Sequence, residues 1–372
     1  AKLAYLLYFL TKKQLLMKSF RAIGLMSGTS MDGLDLADVT FYPTEVGEWK
    51  FKLNGIKGFD YDLEMTKKLE RAFTMQASEL MELSAWLGTY YAEKVNLYLD
   101  EHKIDRKEID FIASHGQTIF HRPELGFTFQ IGNGPELAVH TKCATVVDFR
   151  TKDVALGGNG APLIPIVDFS LFKDYAEAFL NLGGFANLSY STNDIIYSFD
   201  VCPINIVVNH LMSSIGKTYD ESGEFGQSGE VNEKLLEMLN ALSYYNKSGP
   251  KSLGWEWVEK EFLPLLQCDL SLNDKIRTLY EHYAIQIARV INENKVKSVL
   301  VTGGGAKNTF LVERLKFYIN GEVVVPNATI IDFKEAIGFA FLGLLRWLGK
   351  PNVLKSVTGA KRDSCSGQII LP

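Results

Sequence analysis

The residues best equipped for chemistry form a short run near the start of the chain, RAIGLMSGTSMDGLDLAD from Arg21 to Asp38. Its apolar letters stop at Ser27-Gly28-Thr29-Ser30 and resume at Leu34, with Asp32 between. Glycine lets a ligand approach bare backbone, and serine or threonine hydroxyls reach phosphate or a hydrated cation, so the turn suits an anion. Asp32 is then placed to hold Mg²⁺. An ordinary hairpin, turning on glycine and serine, explains the same letters as well. A later run of like pattern, AFLNLGGFANLS over Ala178–Ser189, passes through Gly183-Gly184 into a second strand. SVLVTGGGAKN, from Ser298, enters three glycines that suit a nucleotide base or phosphate lying against the main chain.

A proton acceptor is the other requirement. Asp200 follows an expected strand at Ile195–Phe199 and precedes a helix, where a carboxylate can be partly desolvated as a general base requires. It would otherwise be a helix cap. His115, after a buried strand, reads as a hydrogen-bonded structural residue with no chemistry. Gln117, able to donate and accept, suits a sugar hydroxyl. Asp148, Arg150 and Asp153 cluster at a strand end as solvated loop charges or a carbohydrate clamp.

The elements that must hold these groups follow from periodicity. The opening hairpin and Trp49–Gly58 predict an antiparallel meander, and residues 62–102 carry apolar letters at helical spacing. Ile109–Phe120, Phe127–Ile131 and Ala144–Phe149 read as strands, and Ser271–Asn294 as an amphipathic helix. Val323–Ile331 reads as a further strand, after which Glu335 opens a small-residue helix whose glycines serve packing.

A chain of 372 residues, 47% hydrophobic, exceeds one core and predicts two domains. We place an extension at 1–16, a first domain at 17–177 and a second at 178–344, with 345–372 packing back on the first. Residues 1–16 are apolar but too short to span a bilayer. Met17 reads as a natural start. A formal charge of −5 with mixed signs disfavours nucleic acid and anionic membranes as partners. Four scattered cysteines without a CxxC pair suggest neither zinc nor disulfides and fit a cytoplasmic location.

IGLMSGTSMDGLD, SHGQT, the DFR to GAPL run, NLGGFANLS, GPKS and TGGGAKN, in that order, resemble the anhydro-N-acetylmuramic acid kinase family from about residue 20 onward. The resemblance implies an α/β, two-domain fold shared with actin-like ATPases, sugar kinases and Hsp70-type proteins, in which duplicated RNase H-like domains hold a nucleotide in the interdomain cleft. It implies a peptidoglycan-recycling kinase taking 1,6-anhydro-N-acetylmuramic acid, ATP and water to N-acetylmuramic acid 6-phosphate and ADP. By matched motif, Asp200 would be the general base and Glu335 would arrange metal or phosphates. Ser27, Gly28, Thr29, Ser30, Met31, Asp32, Gly33 and Asp35 would form the first phosphate turn, with Asp32 on Mg²⁺. Asn181, Gly183, Gly184 and Asn187 would form the opposite turn, and Gly303, Gly304, Gly305 and Asn308 would border the adenosine. Gln117, Asp148, Arg150, Gly157 and Gly158 would approach the sugar, Arg150 meeting its lactyl carboxylate. A homodimer is also implied.

The chain departs from the family beside the base. Where the family has D-x-GPGN this sequence reads Asp200-Val201-Cys202-Pro203-Ile204-Asn205, and a downstream acidic position is Asn209. Glycines there with positive φ, or glycines that let substrate pass close to the backbone, would make Cys202 and Ile204 distort or crowd the turn. That motivates an alternative: a nucleotide-binding scaffold of the same fold with weak or altered kinase activity.

Overall fold

The computed structural model describes residues 18–28, 30–132, 134–247 and 251–372. Thr29, Met17 and the expected extension 1–16 lie outside the described residues. The chain divides into two compact units, one running to Leu171 and resuming at Phe333–Pro372, the other Phe172–Asp332. The sequence reading had set these divisions at 178 and 345.

In the first unit, β1 (Phe20–Met26), β2 (Gly33–Pro43) and β3 (Trp49–Asp60) form an antiparallel meander. β4 (Phe111–Ser114) lies parallel to β1, and β7 (Thr145–Val147) parallel to β4. At the edge β13 (Gln368–Ile370) pairs antiparallel with β7. β1 is apolar throughout its middle because both sheet faces are covered. Ile23 and Leu25 join Leu87, Tyr91 and Val95 of helix Ala77–Glu101 on one side. On the other, helix Ala328–Trp347 comes so close that a Cβ at Gly24 would sit 1.9 Å from the Ala336 carbonyl oxygen.

The second unit repeats the plan. β8 (Ala178–Leu182), β9 (Phe185–Thr192) and β10 (Ile195–Pro203) make the meander, β11 (Ser298–Thr302) lies parallel to β8, and β12 (Glu322–Val324) parallel to β11. Helix Leu272–Glu293 fills the core beside this sheet with Ile276, Leu279, Tyr283 and Ile287. Numbered by their order in each unit, the first five strands of both sheets therefore run 3-2-1-4-5. Each meander turns between its first two strands at a glycine motif, and each fourth strand ends in a second, SHG after β4 and TGGG after β11.

Two expected strands differ. Ile109–Phe120 is not continuous: Gly116 takes φ 72° and sends the chain into β5 (Gln117–Arg122), which pairs with β6 (Phe127–Ile131) in a separate two-stranded sheet. Val323–Ile331 ends as a strand at Val324, because Pro326 cannot extend a ladder and the Asn327 side chain accepts the Ile330 N–H at 3.0 Å to start the helix at Ala328. Glu335 is thus inside that helix rather than opening it. The β-branched letters Thr329-Ile330-Ile331 had outweighed the cap. Among the described residues no helix is long and apolar enough to cross a membrane.

Candidate active site

The chain leaves β1 at Met26 and turns back into β2. Gly28 accepts the Met31 N–H at 3.2 Å, closing the turn, while Met31 takes φ 53° and packs its side chain in the core. Ser27, 1% exposed, donates from Oγ to Gln117 Oε1 at 2.6 Å and meets the Tyr61 hydroxyl at 2.9 Å. Gln117 in turn donates from Nε2 to the Gly28 carbonyl at 3.0 Å. Both ends of a fully buried amide are engaged, so Gln117 shapes the turn. Ser27 also points inward. Gly33, where a Cβ would come within 2.8 Å of the Phe59 carbonyl, and Asp35, opposite Met26, continue into β2. Asp32 alone of the turn's acids is exposed, its Oδ1 accepting from Ser30 Oγ at 2.8 Å.

Removing the amide while keeping its bulk tests this arrangement. Gln117→Leu is expected to lower stability by about 1–3 kcal/mol, the cost of leaving buried polar partners short of a hydrogen bond, as read by urea unfolding.

Asp148, Arg150 and Asp153 separate. Asp148, at φ 56°, accepts the Thr151 N–H at 3.2 Å and the Gln368 amide at 2.9 Å. Asp153 is fully buried and accepts from Gly160 N at 2.8 Å and Thr358 Oγ1 at 2.9 Å, so it is a post for the glycine loop, not a solvated charge. Burial pushes its carboxyl above the usual carboxylate range. The loop crosses this post at Gly158, where a Cβ would fall 2.3 Å from Asp153 Oδ2; Gly157, at φ 82°, faces open space. Arg150 donates from Nε to His115 Nε2 at 3.0 Å and from Nη1 to the Gly160 carbonyl at 2.7 Å. Burial lowers its pKa to about 10, opposed by the Glu335 carboxylate. Glu335 is itself raised by burial, while Lys334 and Arg150 pull it down. Lys334 is held 2.9 Å from the buried Asp168. The first unit therefore brings together Arg150, Glu335 and His115, the last unassigned from its sequence.

In the second unit Gly183-Gly184 joins β8 to β9, and the Gly184 carbonyl accepts from both Ile204 N and Ile206 N, tying the turn to helix Asn205–Ser213. Asp200 lies on β10 at a bulge in its pairing with β9. Its Oδ1 accepts from Asn187 Nδ2 at 3.1 Å and its Oδ2 from the Leu253 N–H at 3.0 Å. The Asn187 amide is oriented by a relay: Ser189 Oγ donates to Ser198 Oγ, which donates to Asn187 Oδ1 at 2.8 Å. Asp200 N–H donates to the Lys251 carbonyl, and the Tyr244 hydroxyl donates to the Asp200 carbonyl. Burial pushes the Asp200 carboxyl above its usual range, with the Leu253 and Asn187 donors opposing. Sequence reasoning missed Leu253 and Tyr244; the GPKS motif just before Leu253 was the available signal.

The departures beside Asp200 carry no left-handed strain. Among the described residues neither Cys202 nor Ile204 has positive φ, Ile204 standing at φ −130°. Both are fully buried in the core of the second unit. Asn209 is exposed. Restoring the family glycine by Ile204→Gly is expected to destabilise the protein by about 2–5 kcal/mol through lost burial, measured as a lower denaturation midpoint.

Gly303 takes φ 81°, and a Cβ there would meet Asn181 Oδ1 at 2.3 Å, so the third glycine loop lies against Asn181. Gly305 is pressed likewise on Leu182, and Gly304 faces open space. Asn308 caps helix Thr309–Tyr318, accepting the Leu311 N–H at 2.9 Å and donating to the Tyr280 hydroxyl at 2.8 Å. Among the described residues no group of three or more His, Cys, Asp or Glu side chains could hold a metal. Asp32 offers one exposed carboxylate, a hard oxygen donor of the kind Mg²⁺ takes.

A 3-2-1-4-5 sheet repeated in two units, each with a glycine turn after its first strand, is the duplicated RNase H-like fold of actin-like ATPases and sugar kinases. Within that class the chain belongs to the anhydro-N-acetylmuramic acid kinase family, whose profile matches residues 20–372. The anhydro-N-acetylmuramic acid kinase of Vibrio vulnificus strain CMCP6 is 36% identical over 363 residues, covering 93% of this chain and 96% of its own. That of Shewanella denitrificans is 35% identical over 366 residues, with the same coverage of 93% and 96%. Among solved structures, component A of the Acidaminococcus fermentans (R)-2-hydroxyglutaryl-CoA dehydratase matches with a TM-score of 0.45 at 13% identity, covering 86% of this chain and 96% of its own.

Proposed function

We propose that this protein converts 1,6-anhydro-N-acetylmuramic acid, ATP and water to N-acetylmuramic acid 6-phosphate and ADP in peptidoglycan recycling. Membership of the kinase family supports the sugar and the phosphoryl donor. The mechanism rests on one observation: a half-buried carboxylate, Asp200, fixed by two donors and raised in pKa by burial. Asp200 takes a proton from water as the water oxygen attacks the anomeric carbon. The bond from that carbon to O6 breaks, and O6 attacks the γ-phosphorus, releasing ADP. Asn187 and the Leu253 N–H hold the carboxylate so that it has one orientation in which to work, which is where a base gains most.

Phosphoryl transfer depends mainly on positioning and charge compensation. The turn at Ser27–Gly33 and the turn Gly183-Gly184, with Asn181 and Asn187, are assigned to the phosphates, and Gly303–Gly305 with Asn308 to the adenosine. Mg²⁺, when bound, neutralises charge on the phosphates; Asp32 would hold it, and Glu335 would arrange the phosphates or the ion. Arg150, Asp148 and the Gly157-Gly158 loop are assigned to the sugar. The scaffold alternative drew on the replacement of two glycines by Cys202 and Ile204; neither residue is in the left-handed region, which removes backbone strain as its ground.

The test follows ADP release with ATP, Mg²⁺ and anhydro sugar, repeated in ¹⁸O water. Label at the C1 hydroxyl and none in the phosphate is expected. Label in the phosphate would mean ATP hydrolysis. Release of ADP without label at C1 would mean an ordinary sugar kinase. A folded, ATP-binding sample with no sugar-dependent ADP would restore the scaffold.

A further inference from the structure

His115 is 5% exposed, and its surroundings fix its protonation. Guanidinium is a donor only, so the Arg150 Nε contact at 3.0 Å requires a bare Nε2 on the imidazole. The proton must then sit on Nδ1, which is buried and faces the main chain of Ser27 and Gly116. Burial, reinforced by the Arg150 charge, holds the ring neutral with a pKa of about 3. The ring is also fixed in place. Its main-chain N–H donates to the Leu25 carbonyl of β1 at 3.0 Å, and its ring packs on Phe339 of helix Ala328–Trp347 at 4.7 Å between centroids. A charged residue is thus held by a neutral acceptor.

The consequence lies in the guanidinium fork. A carboxylate can pair with its side-on edge, Nε with Nη2, or its end-on edge, Nη1 with Nη2. His115 occupies Nε and removes the first choice. The Gly160 carbonyl takes only one of the two Nη1 hydrogens, and Nη2 has no partner among the described residues. The end-on pair remains.

We propose that His115 is a positioning residue for acid recognition: by occupying Nε it presents the end-on edge of Arg150 to the carboxylate of the sugar and makes the site selective for a lactyl-bearing sugar. This rests on the assignment of Arg150 to the lactyl carboxylate given above. A neutral acceptor is suited to the task because it orients the guanidinium without neutralising it, whereas an aspartate here would compete with the ligand for the charge.

Calorimetric titration with 1,6-anhydro-N-acetylmuramic acid and with 1,6-anhydro-N-acetylglucosamine, which lacks the lactyl group, reads this directly. The wild type is expected to prefer the acid by about 10- to 100-fold, the range of one charge-assisted hydrogen-bonded pair. His115→Phe keeps the ring volume without an acceptor and is expected to bring that ratio down to about threefold, as is His115→Asn, whose amide is too short to reach Arg150. His115→Gln, whose Oε1 falls where Nε2 was, is expected to restore it. Thermal melting identifies the folded variants, and His115→Asn carries the test if His115→Phe does not fold. The proposal is overturned by a wild type that binds both sugars equally, by folded His115→Phe or His115→Asn that keep the wild-type ratio, or by a folded His115→Gln that loses it. A wild type that prefers the acid but releases no sugar-dependent ADP would instead overturn the kinase assignment and leave this one standing.

Discussion

Asp200→Asn is expected to lower sugar-dependent ADP release by about 10²- to 10⁴-fold, the share of rate that a positioned base supplies, while ATP affinity stays near the wild-type value. The carboxylate accepts at both oxygens, from Asn187 and from the Leu253 N–H, and an amide can accept at only one. The variant therefore loses its basicity and gains a local conflict, so ATP binding is the necessary check that the second unit is intact. Retained turnover would move the base to another carboxylate. The pH profile gives an independent reading. Asp200 works ionised, and burial lifts its pKa above that of an ordinary aspartate despite the two donors. Its neighbours Tyr244 and Cys202 add no positive charge, and the Lys251 ammonium is turned to the Tyr244 and Lys247 carbonyls. kcat/KM should accordingly rise with pH through a midpoint above the ordinary aspartate value and then level off. A limb at or below the ordinary value would contradict the assignment.

The repeated sheet was legible because its signals are local. An apolar run, a pair of glycines and another apolar run mark each meander, and both turned where the letters said. What the sequence did not disclose depends on contacts across many residues. Gln117 reads as a polar group free to meet a ligand, yet Ser27 and Gly28, nearly ninety positions away, consume it. Asp153 reads as a loop charge and is a buried post, because Thr358 near the end of the chain reaches it. His115 reads as a hydrogen-bonded structural residue and is one, but its partner, Arg150, follows a different strand and could not be named from the letters around it. The misread strand at Val323–Ile331 is a local failure, where Pro326 and the Asn327 cap outweigh three β-branched residues. Asp200 was legible as a strand-end acid, but the segment that grips it was not.

Gly24→Val is expected to prevent the first unit from folding stably, and Gly24→Ala to cost about 3 kcal/mol or more, a fall of roughly 6–12 °C in Tm. The obstacle is backbone. A Cβ at Gly24 would lie 1.9 Å from the Ala336 carbonyl oxygen and 3.0 Å from the Ala340 Cβ, and a helix carbonyl cannot swing aside as a side chain can. The neighbours in register are small as well: Ala37 on β2 and Ala113 on β4 flank Gly24, and Gly343 would bring a Cβ within 2.6 Å of Ala113. Helix Ala328–Trp347 thus settles on β1 through a floor of glycine and alanine, and the depth at which it settles puts Glu335 within electrostatic reach of Arg150 and Phe339 against His115. Lifting the helix by the width of a methyl group would disturb those contacts together. Gly58→Ala supplies the contrast on the same sheet, since its Cβ would meet nothing nearer than 3.7 Å. Its Tm should stay within about 2 °C of wild type, as expected for a substitution that needs no neighbour to move. If Gly24→Ala melted as Gly58→Ala does, the helix would have room to spare over β1, and the packing that joins the strand to the proposed site would have to be abandoned.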